Sequence, residues 1–341
     1  MPRAFKLTLL VALLAALALT GVMAGCGSSS DTSSSPSASA DATSQAYKIG
    51  VTQIVSHPAL DAAVQGFMDA LAEKGFTNVT YDQQNAEGDM ATAASIAQKF
   101  ASGGLDLILG VATPTTQAVV KADTTTPIVF TAVTDPVSAG LLTDPAAPTA
   151  NVTGVSDQMR VEPVLELVKQ IDPKATDVGI VYNAGESNSV FIVKQVEAAV
   201  APLGLKLVKA TASTSSEVQA AAKSLVGRVD AIVVIGDNTA VTALETIVKV
   251  CQQNKIPLYA GDSDSVQRGA AAGYGPNYTE LGKEAGYQAA LILGGTPIMD
   301  IPVIYAKDLP GNEQLSINEK SAAAQGVTFP ADLLSKAVNK Y

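Results

Sequence analysis

The sequence predicts an α/β protein made of two lobes, each built around a parallel sheet. Short apolar segments typical of buried strands alternate along the chain with amphipathic segments of helical period. Strands that alternate with helices form parallel sheets, because each helix carries the chain back to the edge where the strand began. One order of elements also occurs twice, which indicates two similar halves. Two halves that face each other would enclose a cleft.

The repeated order is clearest around Asp106 and Asp230. Each of these acidic residues precedes an apolar strand, a glycine and a polar loop, and a second strand follows at 127–133 or 257–261. A further match lies at the strands that open the two halves. In an open parallel sheet, ligands bind outside the carboxyl ends of the strands, where these polar loops lie. We therefore expect a ligand cleft lined by the loops that follow the strands.

The remaining elements follow from apolar periodicity and from Gly and Pro punctuation. We expect strands at 47–52, 79–82, 105–111, 127–133, 151–156, 178–182, 205–211, 230–236, 257–261, 270–274 and 301–305. Helices are expected at 60–71, 90–101, 114–121, 161–171, 190–202, 217–226, 240–253 and 276–293, followed by an Ala-rich tail.

Residues 1–25 have the pattern of a lipoprotein signal peptide. Two basic residues precede an uncharged apolar run at 7–19, and the VMAGC segment that ends at Cys26 resembles a site of signal cleavage and cysteine acylation. An ordinary secretory signal or an N-terminal membrane helix is the alternative, although the run is short for a span. Residues 26–46, rich in Ser, Ala and Thr, would form a disordered tether. This pattern predicts an extracytoplasmic protein anchored to the cell membrane by lipid on Cys26.

Composition excludes several classes of partner and site. The formal net charge is −10, and loss of the two basic residues of the signal would leave −12. Nucleic-acid binding is disfavoured, because it relies on Lys and Arg that neutralise phosphates. With Cys26 lipidated, Cys251 is alone in an apolar-periodic helix and is expected to be a small buried hydrophobe. The sequence contains neither a disulfide framework nor a CxxC metal motif.

The usual catalytic motifs are also missing. The chain has no GxSxG nucleophile elbow, no GxxxxGK[ST] phosphate loop and only one histidine, His57. Gly273-x-Gly275 continues to Tyr278 rather than to a third glycine, so it is no dinucleotide fingerprint. We therefore expect a binding protein without cofactor or metal, and not an enzyme.

The cleft loops suit reversible binding of a zwitterion. A helix N-terminus at Thr113, Thr115 and Thr116 offers free N–H groups and a partial positive charge to a carboxylate. Asp237 and Asp262, at strand ends of the opposite lobe, suit an ammonium group. The other candidate ligand residues are Gln53, His57, Thr134, Asp135, Asn188, Ser189 and Asn238. The alternative is that such residues only cap helices, which Thr, Ser and Asp commonly do, and His57 is equally suited to a cap.

Six motifs in one order carry a resemblance to a known family. TPTTQAVV, TPIVFTAVTDPV, NVTGVSD, YNAGESNS, DAIVVIGDNTAV and SVQRGA are similar to segments of the substrate-binding lipoproteins of tryptophan/tyrosine-type ABC importers. The resemblance covers residues 47–302. It implies a type I periplasmic-binding-protein fold: two Rossmann-like lobes joined by a multi-strand hinge. It also implies a small amino acid, aromatic or similar, as the ligand and an ABC permease in the membrane as the partner.

The resemblance also predicts where the chain crosses between the lobes. With crossings near Asp157, Gly275 and Gly295, the first lobe comprises 47–157 plus 276–295, and the second comprises 158–275 plus 296–341. Thr115 and Thr116 stand where relatives commonly carry alanines. We expect their hydroxyls to narrow the pocket and to donate to a ligand no larger than tyrosine.

Two other classes of function stay open at the level of sequence. One is an adhesin or other surface interaction protein that keeps the fold. The other is an extracytoplasmic enzyme with an unusual site. Binding of free amino acids separates a transport protein from both of them.

Overall fold

The computed structural model describes residues 42–148 and 151–341, which all belong to one compact unit. The predicted signal peptide, Cys26 and most of the predicted tether lie outside the described residues. Within the described part of the chain, no helix has both the length and the apolar character needed to cross a membrane.

Thirteen strands and twelve α-helices make up the described residues. The strands are β1 (Tyr47–Gln53), β2 (Val79–Asn85), β3 (Leu107–Val111), β4 (Ile128–Thr131), β5 (Val152–Ser156), β6 (Asp177–Tyr182), β7 (Lys206–Thr211), β8 (Ala231–Val234), β9 (Leu258–Ala260), β10 (Ala272–Pro276), β11 (Ile304–Tyr305), β12 (Glu313–Ile317) and β13 (Asn339–Lys340). The helices are α1 (Pro58–Glu73), α2 (Met90–Ala101), α3 (Thr113–Ala122), α4 (Glu162–Ile171), α5 (Ser187–Val200), α6 (Val218–Ser224), α7 (Asn238–Thr242), α8 (Leu244–Asn254), α9 (Ser263–Gln267), α10 (Tyr278–Leu293), α11 (Glu319–Ala324) and α12 (Ala331–Lys336).

Two sheets define two lobes. The first sheet has the order β11-β5-β4-β3-β1-β2, and its paired strands are all parallel. The second has the order β13-β12-β10-β9-β8-β6-β7, with only β12 antiparallel to its neighbour β10. Every residue of β3, β4 and β5 is buried, as expected for strands covered by helices on both faces. The predicted α/β class with two parallel-sheet lobes is confirmed.

Helix α10 packs closely against α1 of the first lobe. Glycines permit this approach: a Cβ on Gly66 would overlap the backbone carbonyl oxygen of Thr279, and a Cβ on Gly282 would overlap that of Ala63. Because the obstructing atoms belong to the backbone, a side chain at either position would have to move a whole helix. The α1–α10 pair is therefore a rigid part of the first lobe beside the hinge.

The third crossing lies later than the sequence predicted. Residues 296–306 were assigned to the second lobe, but β11 pairs with β5 in the first sheet. The Thr153 hydroxyl donates to the carbonyl oxygen of Ile301 at 2.7 Å, and Val303 and Ala306 are buried in the core of the first lobe. Their apolar side chains complete the open edge of that core. The chain therefore crosses to the second lobe between Ala306 and β12 instead of at Gly295.

Three smaller differences have local causes. The helix predicted at 240–253 is two helices, α7 and α8, because the backbone of Ala243 leaves the helical region at φ −105° and ψ 25°. The antiparallel β12 was not predicted, since parallel strands were expected throughout. Ala42–Ser44 form a 3₁₀ turn within the predicted tether, and the Tyr47 hydroxyl donates to the Ala42 carbonyl at 3.0 Å.

The close packing of α1 on α10 gives a testable expectation for Gly66→Ala. Alanine normally favours a helix over glycine, but here its methyl group would push α10 away. We expect the free energy of unfolding to fall by about 1–3 kcal/mol, as for other overpacked sites. Urea denaturation of purified protein measures this. The neighbouring exposed variant Gln65→Ala should change it by less than about 0.5 kcal/mol, and a stabilised Gly66→Ala protein would contradict the packing described.

Candidate ligand-binding site

Two adjoining cavities lie between the lobes. The inner pocket leaves about 20 Å³ of free volume, room for about one water molecule. Its lining is His57, Ala59, Leu60, Ala132, Thr134, Asp157, Asn188, Gly236, Asp237, Asn238, Val241, Asp262 and Tyr278. The outer cavity has about 560 Å³, within the range of small-molecule sites. Asn238 lines both, so the two cavities are neighbours.

The inner pocket is formed where strands of both sheets end. The chain turns sharply there: Ala112 after β3, Ala132 after β4 and Gly236 after β8 have φ of 73°, 57° and 57°. Left-handed backbone is unfavourable for alanine and is retained where surrounding structure imposes it, often at functional sites. These turns direct the loops after β4 and β8 toward the junction of the lobes.

Asp237 is both a helix cap and a wall of the inner pocket. Its Oδ1 accepts from the Ala240 N–H at 2.6 Å, and its Oδ2 accepts from the Asn183 N–H and the Ser189 hydroxyl, each at 2.6 Å. Burial, and then the negative charge of Glu186, raise the pKa of Asp237 to about 7. Asp237 is therefore a helix cap that also lines the inner pocket, and its contact with a ligand stays a prediction; Ser189 reaches the pocket only through Asp237.

Glu186 organises the second-lobe side of the site, and sequence reasoning missed it. The buried carboxylate accepts from the side chains of Asn188 (3.1 Å), Asn238 (2.6 Å) and Thr239 (2.8 Å). These bonds fix both asparagines at the cavities, and Asn188 Oδ1 stays without a hydrogen-bond partner among the described residues. The sequence did offer a signal for Glu186: it is an acidic residue directly before a helix, and that helix follows a strand.

Asp157 and Tyr278 also line the inner pocket, and neither was among the ligand residues that the sequence predicted. The Tyr278 hydroxyl donates to Asp157 Oδ2 at 2.9 Å, whereas Asp157 Oδ1 is buried and has no partner within the described part of the chain. Burial raises the pKa of Asp157. The sequence did offer a signal for Asp157: it was predicted at a crossing between the lobes, and a residue at a crossing lies beside the cleft.

Asp262 lines the same pocket and is a helix cap. Its two oxygens accept from the N–H and the hydroxyl of Ser265, at 2.6 and 2.8 Å. Burial raises the pKa of Asp262 as well. Within residues 42–148 and 151–341, no three His, Cys, Asp or Glu side chains are arranged to hold a metal ion.

His57 faces the inner pocket instead of capping α1. It occupies the N-cap position, yet its side chain makes no capping bond, and its Nδ1 lacks a partner in the described structure. Burial, and then the positive charge of Arg268, lower the pKa of His57 to about 4. The imidazole is therefore neutral near pH 7 and free to bond a polar ligand atom.

The structure does not bring the threonines of α3 to either cavity. The Thr115 hydroxyl donates to the Val111 carbonyl at 2.6 Å, and the Thr116 hydroxyl donates to the Ala112 carbonyl at 2.8 Å. Threonine in a first helical turn commonly bonds back to the preceding turn in this way. The prediction that these two hydroxyls donate to a ligand is wrong. Thr113 is buried with a hydroxyl that lacks a partner in the described part of the chain, but it lines neither cavity.

Two other predicted residues serve local structure. Gln53 donates to the Val55 carbonyl and to Asp61, at 2.8 and 2.7 Å. Asp135 Oδ1 accepts from the N–H groups of the next turn. The predicted residues that do line the inner pocket are His57, Thr134, Asn188, Asp237, Asn238 and Asp262.

Comparisons with known proteins show similarity along most of the chain. A tyrosine-binding protein of Clostridioides difficile (strain R20291) is 40% identical over 258 residues, 75% of each chain. The structure of an ABC domain from Streptococcus pneumoniae in complex with L-tryptophan is 32% identical and has a TM-score of 0.83, covering 87% of this chain and all of that one.

A ligand-free, open structure of a substrate-binding protein with adhesive properties from Clostridium difficile matches less well. Its TM-score is 0.65, although it is 39% identical and covers 86% of this chain and 99% of that one. Since its sequence is the more similar of the two solved structures, sequence divergence does not account for the lower score. The structure of this chain is therefore more similar to that of the tryptophan complex than to that of the open, ligand-free relative.

The family match covers nearly the whole described chain. Residues 48–340 fit the model of a family described as ABC transporter substrate binding protein. These relatives are solute-binding proteins with the type I periplasmic-binding fold and not enzymes. The chain belongs to the ABC transporter substrate-binding protein family.

Proposed function

We propose that this protein captures a free amino acid, with aromatic ones as the favoured class, between its lobes and delivers it to an ABC permease. It does so outside the cytoplasm, anchored to the cell membrane by lipid on Cys26. The observation that carries the proposal is a pocket with three buried carboxylates, Asp157, Asp237 and Asp262, beside a larger cavity of mixed polarity.

The inner pocket suits the ammonium group of the ligand. Buried carboxylates attract a cation strongly, because water no longer screens the charge. Asn188 Oδ1 and Asp157 Oδ1 add acceptors that the described residues leave unpartnered. An ammonium group carries three donors and no acceptor, which matches a pocket rich in acceptors.

The outer cavity suits the rest of an amino acid. Ile54, Val55 and Met90 give it an apolar portion, and Pro114 and Gln117 bring the first turns of α3 to its wall. Backbone N–H groups at the start of a helix favour a carboxylate. A volume of about 560 Å³ leaves room for an aromatic side chain, and the relatives named above include a tyrosine-binding protein and a tryptophan complex.

Capture requires the lobes to move. Both cavities are lined from both lobes, so a ligand enters only when the lobes part and is shielded from water when they close. A permease that binds the closed form would then receive loaded protein in preference to empty protein.

A surface-adhesion role is a second candidate, favoured by one observation. A relative that is 39% identical is described as a substrate-binding protein with adhesive properties. The two roles are compatible, since adhesion uses the outer surface and capture uses the cleft.

Free aromatic amino acids should stabilise the purified chain from residue 47 onward. At a concentration about 100 times Kd, we expect L-tyrosine or L-tryptophan to raise Tm by about 5 °C or more. Glucose and adenosine serve as controls and should leave Tm unchanged. A panel in which no amino acid raises Tm would contradict the proposed function and leave adhesion as the better candidate.

Opposite pH dependences are expected for stability and for ligand affinity. The raised pKa of Asp237, about 7, means that the folded state binds more protons than the unfolded state below that pH. Stability of the ligand-free protein should therefore rise as pH falls from about 8 to about 6. Asp264, whose pKa is raised to about 6 chiefly by burial, acts in the same direction. His57 acts against both as pH approaches 6, because its pKa is lowered to about 4 in the folded state and the unfolded state takes up its proton first.

Affinity for an amino acid should fall over the same interval, because a protonated carboxyl group no longer pairs with ammonium. The charged and titratable groups around the pocket include Asp157, Asp237, Asp262, Glu186, Arg268, Tyr278 and His57, and the last two stay neutral throughout. Calorimetric titrations and thermal melts at matched pH measure both trends. Affinity that rises on acidification would contradict an ammonium in this pocket, and Asp237→Asn should flatten the stability trend.

Lipid anchoring is tested separately at Cys26. The full-length protein expressed in its host should fractionate with membranes and carry a diacylated cysteine by mass spectrometry. Cys26→Ala should shift the protein to the soluble fraction, because the acylated thiol is lost. A mature N-terminus at another residue, or membrane retention of the variant, would exclude this form of anchoring.

A further inference from the structure

Asp157 and Tyr278 connect two of the chain crossings at the hinge. Asp157 directly follows β5, where the chain leaves the first lobe, and Tyr278 opens α10 just after β10, where the chain returns. The 2.9 Å hydrogen bond between them therefore ties two hinge segments together beneath the inner pocket. A ligand that contacts this pair touches the hinge itself.

Asp157 differs from the other two carboxylates of the inner pocket. Asp237 and Asp262 use both oxygens to bond N–H or hydroxyl groups of the protein. Asp157 is 8% exposed and accepts a hydrogen bond at Oδ2, whereas Oδ1 has no hydrogen-bond partner among the described residues. The nearby Thr134 hydroxyl only partly offsets the rise in the pKa of Asp157 that burial causes. A buried carboxylate oxygen without a donor is costly, so it is an acceptor that a ligand can satisfy.

Arg268, the positive charge that acts on His57 and Asp262, is bonded elsewhere through Nε and Nη2, and its Nη1 has no partner among the described residues. The Arg268 guanidinium donates to Glu245 at 2.8 and 2.9 Å and to the Val241 carbonyl at 2.9 Å. Arg268 does not line the inner pocket, and His57, which does, is neutral near pH 7. The inner pocket is therefore lined by no positively charged donor for Asp157, and a cationic group there would come with the ligand.

We infer that Asp157 Oδ1 accepts a hydrogen bond from the α-ammonium group of the ligand and selects amino acids over analogues that lack it. Tyr278 is a positioning residue that holds the carboxylate so that Oδ1 stays at the pocket. This inference rests on the proposed function. It names the contact by which the site distinguishes amino acids from analogues that lack the ammonium group.

Selectivity follows from the cost of an unpaired charge. An analogue without the ammonium group would leave Asp157 buried and unmatched, and its own carboxylate would add a negative charge near three others. Sites built to bond a polar group reject analogues that lack it far more strongly than apolar pockets reject a missing methylene.

The decisive experiment compares L-tyrosine with its deamino analogue, 3-(4-hydroxyphenyl)propionate, by calorimetry on wild type and Asp157→Asn. Asparagine has nearly the same shape and retains an acceptor for Tyr278. We expect wild type to prefer L-tyrosine by about 100-fold or more. In Asp157→Asn, affinity for L-tyrosine should fall by about 10-fold or more, with unchanged or improved affinity for the analogue. Asp69→Asn removes an exposed carboxylate of α1 that lies outside both cavities and should behave as wild type.

Tyr278→Phe is a second variant, and it keeps the negative charge of Asp157. Loss of its hydroxyl should lower affinity for L-tyrosine by about 3-fold or more and leave the analogue's affinity unchanged. Equal losses for both compounds would indicate a merely structural role and overturn the assignment of Tyr278.

The outcomes separate this inference from the proposed function. If wild type binds neither L-tyrosine nor L-tryptophan, the proposed function fails. If wild type binds L-tyrosine and folded Asp157→Asn keeps the same affinity and selectivity, the inference fails and the proposed function stands. If Asp157→Asn does not fold, an unchanged selectivity in Tyr278→Phe overturns the inference. When wild type prefers L-tryptophan, 3-(indol-3-yl)propionate replaces the tyrosine analogue.

Discussion

Burying a carboxylate is costly unless donors or a cation meet it, and this protein buries three at the junction of its lobes. Asp237 and Asp262 are satisfied by the first turns of the helices they cap. Asp157 is only half satisfied, by Tyr278. The junction is therefore built to accept one more donor, and much of the surrounding structure can be understood as holding that arrangement in place.

The fold brings the pocket residues together through the positions at which its strands end and the packing of its helices. Parallel strands end at the same edge of each sheet, so the loops after β4 and β8 converge on the cleft from opposite lobes. The close contact of α1 with α10 fixes both His57, at the start of α1, and Tyr278, at the start of α10. Glu186 fixes the asparagines opposite them. First lobe, hinge and second lobe each contribute one wall of the pocket.

The sequence predicted the architecture better than the site. Apolar periodicity located most strands and helices, because it reports directly which residues are buried. It does not report which buried polar residue faces a cleft and which faces its own helix, so Thr115 and Thr116 were misassigned while Asp157 and Glu186 were overlooked. The late third crossing was missed for a similar reason: residues 301–306 are apolar enough for either lobe, and only tertiary packing decides between them.

A crystal structure of the protein with bound L-tyrosine, or with L-tryptophan if that binds more tightly, would test the central claim most directly. The account predicts the ligand nitrogen within about 3 Å of Asp157 Oδ1, with the side chain in the outer cavity. A ligand bound in the opposite orientation, with its carboxylate in the inner pocket and its nitrogen remote from Asp157, would contradict it.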